Sequence, residues 1–157
     1  GAQVDAAWQL LAGHFVFRLD PSTKTLTKLA DGIDQPNGLC FSPDEKKLYV
    51  ADSGKQHYVR VFDVHPDNTL SGGAPFCVVA PGVPDGMRCD EHGNLWSSAG
   101  DGIQVFDPAG KLIGKIPVPE SPANLSFGGK NGHTLYITAR TSLYSIPTRT
   151  RSGLKRP

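Results

Sequence analysis

The sequence predicts an all-β fold made of repeated four-stranded antiparallel sheets. Glycine and proline are frequent, with 18 Gly and 13 Pro among 157 residues. This composition is typical of short strands joined by turns rather than of helical bundles. The chain also contains three copies of one motif, which begin at Pro36, Pro84 and Pro122. Internal repeats of this size indicate a fold built from one repeated supersecondary unit.

The strands of the repeated unit can be assigned in order. The first copy is PNGLCFSPDEKKLYVAD, from Pro36 to Asp52, and the apolar run VRVFDV follows it. The alternation in VRVFDV is typical of a half-buried strand, whose side chains point to opposite faces in turn. The other copies are PDGMRCDEHGNLWSSA followed by IQVFDP, and PANLSFGGKNGHTLYITA followed by SLYSIP. Each copy places an aromatic residue beside the start of its second strand: Tyr49, Trp96 and Tyr136.

The two ends of the chain are less regular. HFVFRLDP, from His14 to Pro21, and the following TKTLTKLADG match the outer part of an earlier unit. The stretch Asp5–Gly13 is predicted to be either a short helix, with Asp and Gly as caps, or a remnant of an upstream unit. The basic tail TRTRSGLKRP is predicted to be disordered or a solvated closing strand.

The spacing of the copies indicates a β-propeller. From Pro36 to Pro84 is 48 residues and from Pro84 to Pro122 is 38, close to the period of about 40 to 50 residues typical of propeller blades. We therefore predict a single partial propeller domain over residues 1–157, with a blade tail at 14–33 and blades at about 34–80, 82–118 and 120–150. These are three to three and a half blades, where propellers typically have about four to eight.

A partial propeller must be completed. The candidates are an N-terminal half absent from this sequence, a two-fold dimer of half-propellers, or a rearranged smaller fold. Open blade edges leave backbone groups unpaired, so we expect copies of the chain to associate through them.

The charge balance and the reactive residues exclude several classes of function. Lys and Arg number 16 against 15 Asp and Glu, so the chain lacks the basic field that binds nucleic acid or an anionic membrane. The three cysteines form no C-x-x-C pair, the histidines are scattered, and no G-x-S-x-G motif occurs. Free cysteines and the lack of a signal-like segment favour a cytoplasmic location.

Polar residues just before the first strand of each unit are the candidate site. In a propeller these strands line the channel, and the repeat alignment places Asn37, Asp85 and Asn124 at its mouth. Carboxylate and amide oxygens suit Ca²⁺ or another oxygen-seeking divalent cation. The residues leave a second interpretation open, because P-N-G and P-D-G are also ordinary turn sequences in which glycine takes a positive φ.

With these motifs, the chain resembles the gluconolactonase, regucalcin (senescence marker protein) and luciferin-regenerating-enzyme-like family. The matched segments are FRLDP, QPNGLCFSPDEKKLYVADSG, PDGMRCDEHGNLWSSAGDGIQVFDPAGKLIG and NLSFGGKNGHTLYITARTSLYSI. The resemblance covers nearly the whole chain from His14 onward. It implies that the chain corresponds to the second half of a six-bladed propeller.

The resemblance implies a metal-dependent hydrolase of sugar lactones and related esters, with one divalent cation at the channel floor. Asn37 and Asp85 match metal ligands, and Asp85 matches the residue proposed as general base or nucleophile. Met87 would line the pocket, and Asn124 lies in the last channel-facing motif, which is associated with substrate binding. Ca²⁺ is the favoured cation, with Zn²⁺ and Mg²⁺ as alternatives.

The sequence departs from the family pattern in its missing half. The acidic ligand and the polar substrate-binding residues of the first blades have no counterpart here. A catalytically inactive propeller fragment that serves as a binding or structural module, and a half-propeller that dimerises, therefore stand beside the lactonase hypothesis.

Overall fold

The computed structural model describes residues 11–154, which contain thirteen β-strands and no helix. None of these residues belongs to a helix long and apolar enough to cross a membrane. The strands, in chain order, are β1 (Val16–Leu19), β2 (Leu26–Ala30), β3 (Pro36–Phe41), β4 (Lys47–Asp52), β5 (Tyr58–Val64), β6 (Leu70–Val78), β7 (Met87–Cys89), β8 (Leu95–Ala99), β9 (Gly102–Phe106), β10 (Leu112–Pro117), β11 (Pro122–Gly128), β12 (Thr134–Ala139) and β13 (Ser142–Pro147).

The strands form four antiparallel sheets in sequence order, each a simple meander. Sheet I is β1–β2, sheet II is β3–β4–β5–β6, sheet III is β7–β8–β9–β10, and sheet IV is β11–β12–β13. Sheets II and III thus have the four strands predicted for the repeated unit, and sheet IV has three among the described residues. Strand β7 contacts both β3 and β11, so the first strands of sheets II, III and IV are neighbours.

Apolar side chains fill the layers between successive sheets. One cluster joins sheets II and III and includes Tyr49, Met87 and Leu95. A second joins sheets III and IV, where the rings of Trp96 and Phe127 meet edge to face at 5.3 Å between centroids. A third lies between sheets I and II. Sheets II and III therefore bury both faces against their neighbours, and sheets I and IV bury one face each among the described residues. This layered packing, without a single central core, is expected of propeller blades.

The structure corrects the prediction for the C-terminal tail. Residues 148–154 are neither disordered nor a solvated strand, because they pack along the turn that follows β7. Ser152 forms a β-bridge with Asp90, and the Gly153 N–H donates to the Cys89 carbonyl at 2.9 Å. The Arg151 guanidinium pairs with Glu91 at 2.8 Å. The stretch Asp5–Gly13 lies mostly outside the described residues, and its last three residues form a bend.

Candidate functional site

The three predicted polar residues lie at the starts of neighbouring strands. Asn37 is the second residue of β3, Asp85 lies two residues before β7, and Asn124 is the third residue of β11. The backbones of these segments are in direct contact, and the Gly86 N–H donates to the Ala123 carbonyl at 2.8 Å. The structure therefore brings the three residues to the same end of the three neighbouring strands.

Two glycines allow this close approach. A Cβ atom on Gly38 would lie 2.0 Å from the Asp85 carbonyl oxygen, and one on Gly86 would lie 2.3 Å from Asn124 Oδ1. Neither glycine has a positive φ, and P-N-G opens strand β3 rather than forming a turn. The turn interpretation is therefore wrong for these glycines, which are required because no side chain fits between adjacent sheets.

Asn37 is exposed, and its Nδ2 donates to the Ser53 hydroxyl at 3.2 Å. The Asn37 side chain also lowers the pKa of the neighbouring Asp85 carboxyl. The Ser53 hydroxyl donates to the Pro84 carbonyl at 2.5 Å. Asn37 and Asp85 are thus joined by contacts that cross the boundary between sheets II and III.

Asp85 is a half-buried carboxylate. Burial raises the pKa of the Asp85 carboxyl, and the hydrogen bond from Asn37 opposes the increase. The Asp85 N–H donates to the buried Ser98 hydroxyl at 3.2 Å, which fixes the backbone of the residue. A carboxylate with a raised pKa is a stronger base than an ordinary one, and such groups are common where protons are transferred.

The surroundings of Asn124 and Met87 differ from those of Asn37 and Asp85. Asn124 is exposed, but its Oδ1 accepts a hydrogen bond from the Leu125 N–H at 2.8 Å. Its amide hydrogens are the part of the side chain that remains to contact a substrate. Met87 is fully buried in the cluster between sheets II and III. The sulfur side chain therefore lies beneath the Asp85 segment, and its predicted contact with substrate stays a prediction.

Three hydroxyl residues and one carboxylate contribute to the site and were not identified from the sequence as site residues. Ser98 on β8, Thr138 on β12 and Ser53 directly after β4 each hydrogen bond to a residue of the site. Ser98 and Thr138 stand two residues after Trp96 and Tyr136, and this shared position is the signal that the repeat alignment offers. Ser53 does not share that position, because Ala51 occupies it in the first copy.

Asp52 braces the segment that precedes Asn37. Its buried carboxylate accepts from the N–H groups of Asp34 and Gln35 and from Arg60 Nε at 3.0–3.2 Å. These hydrogen bonds hold the backbone of Asp34 and Gln35 in place ahead of β3.

The donor set can be tested against a divalent cation. Within residues 11–154, no group of three or more His, Cys, Asp and Glu side chains could hold a metal ion. Asn37 Oδ1 and the Asp85 carboxylate are hard oxygen donors that fit Ca²⁺ or Mg²⁺ in kind, but Ca²⁺ takes about six to eight oxygen ligands. These two residues therefore supply only part of a coordination sphere.

A cavity large enough for a small ligand lies elsewhere. It has a volume of about 750 Å³ and is lined by residues that include Pro43, Glu91 and Lys130. These residues follow the ends of β3, β7 and β11, so the cavity lies at the opposite end of the strands from Asn37 and Asp85. The polar residues that line this cavity, including Glu91 and Lys130, come from the turns after the strands and do not include Asn37, Asp85 or Asn124.

Comparison with known proteins shows one consistent relationship. Residues 8–141 match the family described as the SMP-30/Gluconolactonase/LRE-like region. The chain is 35% identical to a gluconolactonase of Zymomonas mobilis over 86% of its own length and 40% of the relative. It is 31% identical to a pentonolactonase of Haloferax volcanii over 81% of its length and 45% of the relative.

A solved structure supports the same relationship. The gluconolactonase of Xanthomonas campestris is 40% identical and superimposes with a TM-score of 0.82 over 88% of this chain and 46% of that one. The chain thus spans less than half the length of these relatives. The predicted fold class, all-β with four-stranded antiparallel propeller blades, is confirmed. Because the match covers most of its 157 residues, the chain belongs to the SMP-30/gluconolactonase/LRE-like family.

Proposed function

We propose that this chain carries part of the site of a sugar-lactone hydrolase, with Asp85 as its general base. The observation that carries the proposal is the half-buried Asp85 carboxylate with a raised pKa, held beside the Asn37 amide at the start of neighbouring strands. The relatives named gluconolactonase and pentonolactonase support a lactone as substrate. The chain spans less than half the length of both relatives.

The chemistry assigned to Asp85 is proton transfer. Its carboxylate removes a proton from a water molecule as the water oxygen attacks the ring carbonyl carbon of the lactone. The tetrahedral intermediate collapses, the bond between that carbon and the ring oxygen breaks, and the ring oxygen takes up a proton. The product is the open-chain hydroxy acid.

Asn37 and Asp85 are the residues that would hold a divalent cation, with Ca²⁺ favoured and Zn²⁺ or Mg²⁺ as alternatives. When bound, such a cation would polarise the lactone carbonyl oxygen as a Lewis acid. The remaining ligands would come from water, substrate or another part of the complete propeller. The positive charge would also favour the ionised form of Asp85.

Asn124 and Met87 are proposed to shape the substrate side of the site. The Asn124 amide hydrogens can donate to a sugar hydroxyl, since Oδ1 is already bound to the Leu125 N–H. Met87 is buried directly after the Asp85–Gly86 segment. Its proposed role is to line the pocket as an apolar wall beside that segment.

A second candidate is that two copies assemble into a larger propeller. Sheet I has two strands and sheet IV has three among the described residues. Large apolar side chains are exposed there, including Leu19, Leu26 and Leu143, each more than 60% exposed. A net charge of +1 gives little repulsion between copies. Light scattering should then give twice the 16.8 kDa chain mass, and a strictly monomeric mass would contradict the assembly.

The experiment for the lactonase proposal is hydrolysis of glucono-δ-lactone by the purified chain, measured above the spontaneous rate. We expect activity with Ca²⁺, loss with a chelator, and a decrease of about 10²- to 10⁴-fold in Asp85→Asn, the range typical of a general base. Asp63→Asn is the matched control, because Asp63 is an exposed carboxylate paired with Lys47 on sheet II.

The outcomes separate the candidate functions. Equal rates in the Asp85→Asn and Asp63→Asn variants would contradict the role of Asp85. A folded chain with no rate above background would favour the binding or structural module. A cytoplasmic location stays a prediction.

A further inference from the structure

We propose that Ser53 is a positioning residue that fixes the orientation of the Asn37 amide and so keeps Asn37 Oδ1 available to the ligand. The inference deepens the proposed function and rests on it, because it concerns the same site. It assigns a role to a hydroxyl group that lies between the two candidate ligands without being one of them.

The first step is the direction of the hydrogen bonds at Ser53. Its hydroxyl hydrogen is donated to the Pro84 carbonyl oxygen at 2.5 Å. A carbonyl can only accept, so the hydroxyl has no hydrogen left for Asn37 and must accept from it. The Asn37 atom facing Ser53, at 3.2 Å, is therefore the amide nitrogen.

The second step is the consequence for the amide oxygen. Because Nδ2 faces a hydroxyl oxygen that can only accept, a half-turn of the amide would place Oδ1 against that acceptor and remove the hydrogen bond. The observed orientation therefore directs Oδ1 away from Ser53, and Oδ1 is the atom of Asn37 that can coordinate a cation.

The third step is the position of Ser53 in the fold. Ser53 directly follows β4, and its own N–H donates to the Gln35 carbonyl at 2.9 Å. Its hydroxyl reaches the residue before Asp85 on the next sheet. One side chain thus ties the amide of one candidate ligand to the backbone that carries the other.

The test is the Ca²⁺ affinity of the purified chain, measured by isothermal titration calorimetry. We expect Ser53→Ala to weaken binding about fivefold, as for the loss of one ordinary hydrogen bond. Ser53→Thr retains the hydroxyl and should stay within about twofold of the wild type. Ser42→Ala is the control, because it removes a buried hydroxyl from the turn at the opposite end of β3.

A second pair of variants, built on Asn37→Asp, separates the orientation of the Asn37 amide from a general loss of protein stability. In Asn37→Asp the side chain is a carboxylate, whose two oxygens are equivalent, so it has no orientation to fix. Adding Ser53→Ala to Asn37→Asp should then leave the Ca²⁺ affinity unchanged. A purely structural role of the Ser53–Pro84 hydrogen bond would weaken binding equally in both backgrounds and would overturn the inference.

The remaining outcomes are distinct from one another. If the wild type binds Ca²⁺ and Ser53→Ala binds equally well, the positioning role is wrong and the proposed site stands. If the wild type binds no Ca²⁺, the calcium site itself is wrong and the positioning role is wrong with it. Circular dichroism of each variant checks that the sheets have formed.

Discussion

Strand β7 has an aspartate beyond each of its ends, and the two carboxylates have opposite surroundings. Asp90 is 1% exposed and accepts hydrogen bonds from the His92 and Asn94 N–H groups, from Asn94 Nδ2 and from the Trp96 indole. Asp85 is half-buried, and the neighbouring Asn37 side chain opposes the effect of burial on its pKa. A carboxylate saturated with donors stabilises a turn, whereas one with unused acceptor capacity can bind a ligand or a proton.

The largest expected difference between the two ends of β7 is the effect of removing each aspartate on the free energy of unfolding. Asp90→Ala should lower the free energy of unfolding by about 3 kcal/mol or more, because several buried donors lose their acceptor together. Asp85→Ala should change it by less than about 1 kcal/mol, since few donors depend on that side chain. Urea unfolding followed by intrinsic fluorescence measures both values, and similar losses would remove the distinction.

The pH dependence of stability should also distinguish a carboxylate that accepts several hydrogen bonds from one with unused acceptor capacity. Asp52 is an example of the first kind, and Asp85 is of the second. Burial opposes ionisation of Asp52, but hydrogen bonds from Gln35, Asp34 and Arg60 hold its pKa below the ordinary value of 3.8. Its contribution is therefore complete above that value and is lost as the pH falls through the lower folded pKa. Arg60→Met should move acid unfolding to higher pH. Circular dichroism between pH 2 and 5, sampled densely, checks this shift.

Asp85 should behave in the opposite sense. Its pKa is raised in the folded chain, so the folded state binds the proton more tightly than the unfolded state. Its contribution to stability falls as the pH rises from 3.8 through the raised folded value. Asp85→Asn should remove that decrease. A variant with the same pH profile as the wild type would show that Asp85 is not desolvated.

The smallest expected effect concerns the rate at which Cys89, the cysteine on β7, reacts with a thiol reagent. Cys89 and Cys40 have their sulfur atoms 3.9 Å apart, and both are buried. Hydrogen bonding to Cys40 and burial raise the pKa of Cys89, and burial raises that of Cys77 to about 12. A thiol reagent at pH 8 should therefore label no native cysteine quickly and all three after unfolding. Asp90→Ala should accelerate labelling of Cys89, and rapid labelling of the wild type would show that this end opens.

The fold was largely predictable because the repeat is local. Proline, turn residues and alternating apolar positions recur in each copy, and the strands of sheets II and III follow them. The tail was not predictable, because its order depends on contacts with Asp90 and Glu91, about 60 residues earlier in the chain. A basic composition carries no information about such a distant partner.

The candidate site was predictable only in part. Asn37 and Asp85 were found because they occupy the same position in successive copies, and their roles remain proposals. Ser53 was missed because its significance comes from Pro84 on the next sheet. The conformation of Gly38 was wrongly expected, since the local sequence suggests a turn, whereas a distant backbone determines why the residue is glycine.

The absence of side chains at Gly38 and Gly86 has a consequence for the ion selectivity of the proposed cation site. Main-chain atoms of adjacent sheets abut there, so the distance between blades is set by van der Waals radii. Alanine at either position would force the blades apart. Coordination distances to Ca²⁺ and Mg²⁺ differ by about 0.3–0.5 Å, and a spacing that backbone contact holds constant cannot relax to suit both ions equally. For the proposed cation site, the preferred ionic radius would therefore be set by the blade contact. Substitution of Asn37 or Asp85 would alter the charge of the site and the strength of binding more readily than the size of the ion accepted.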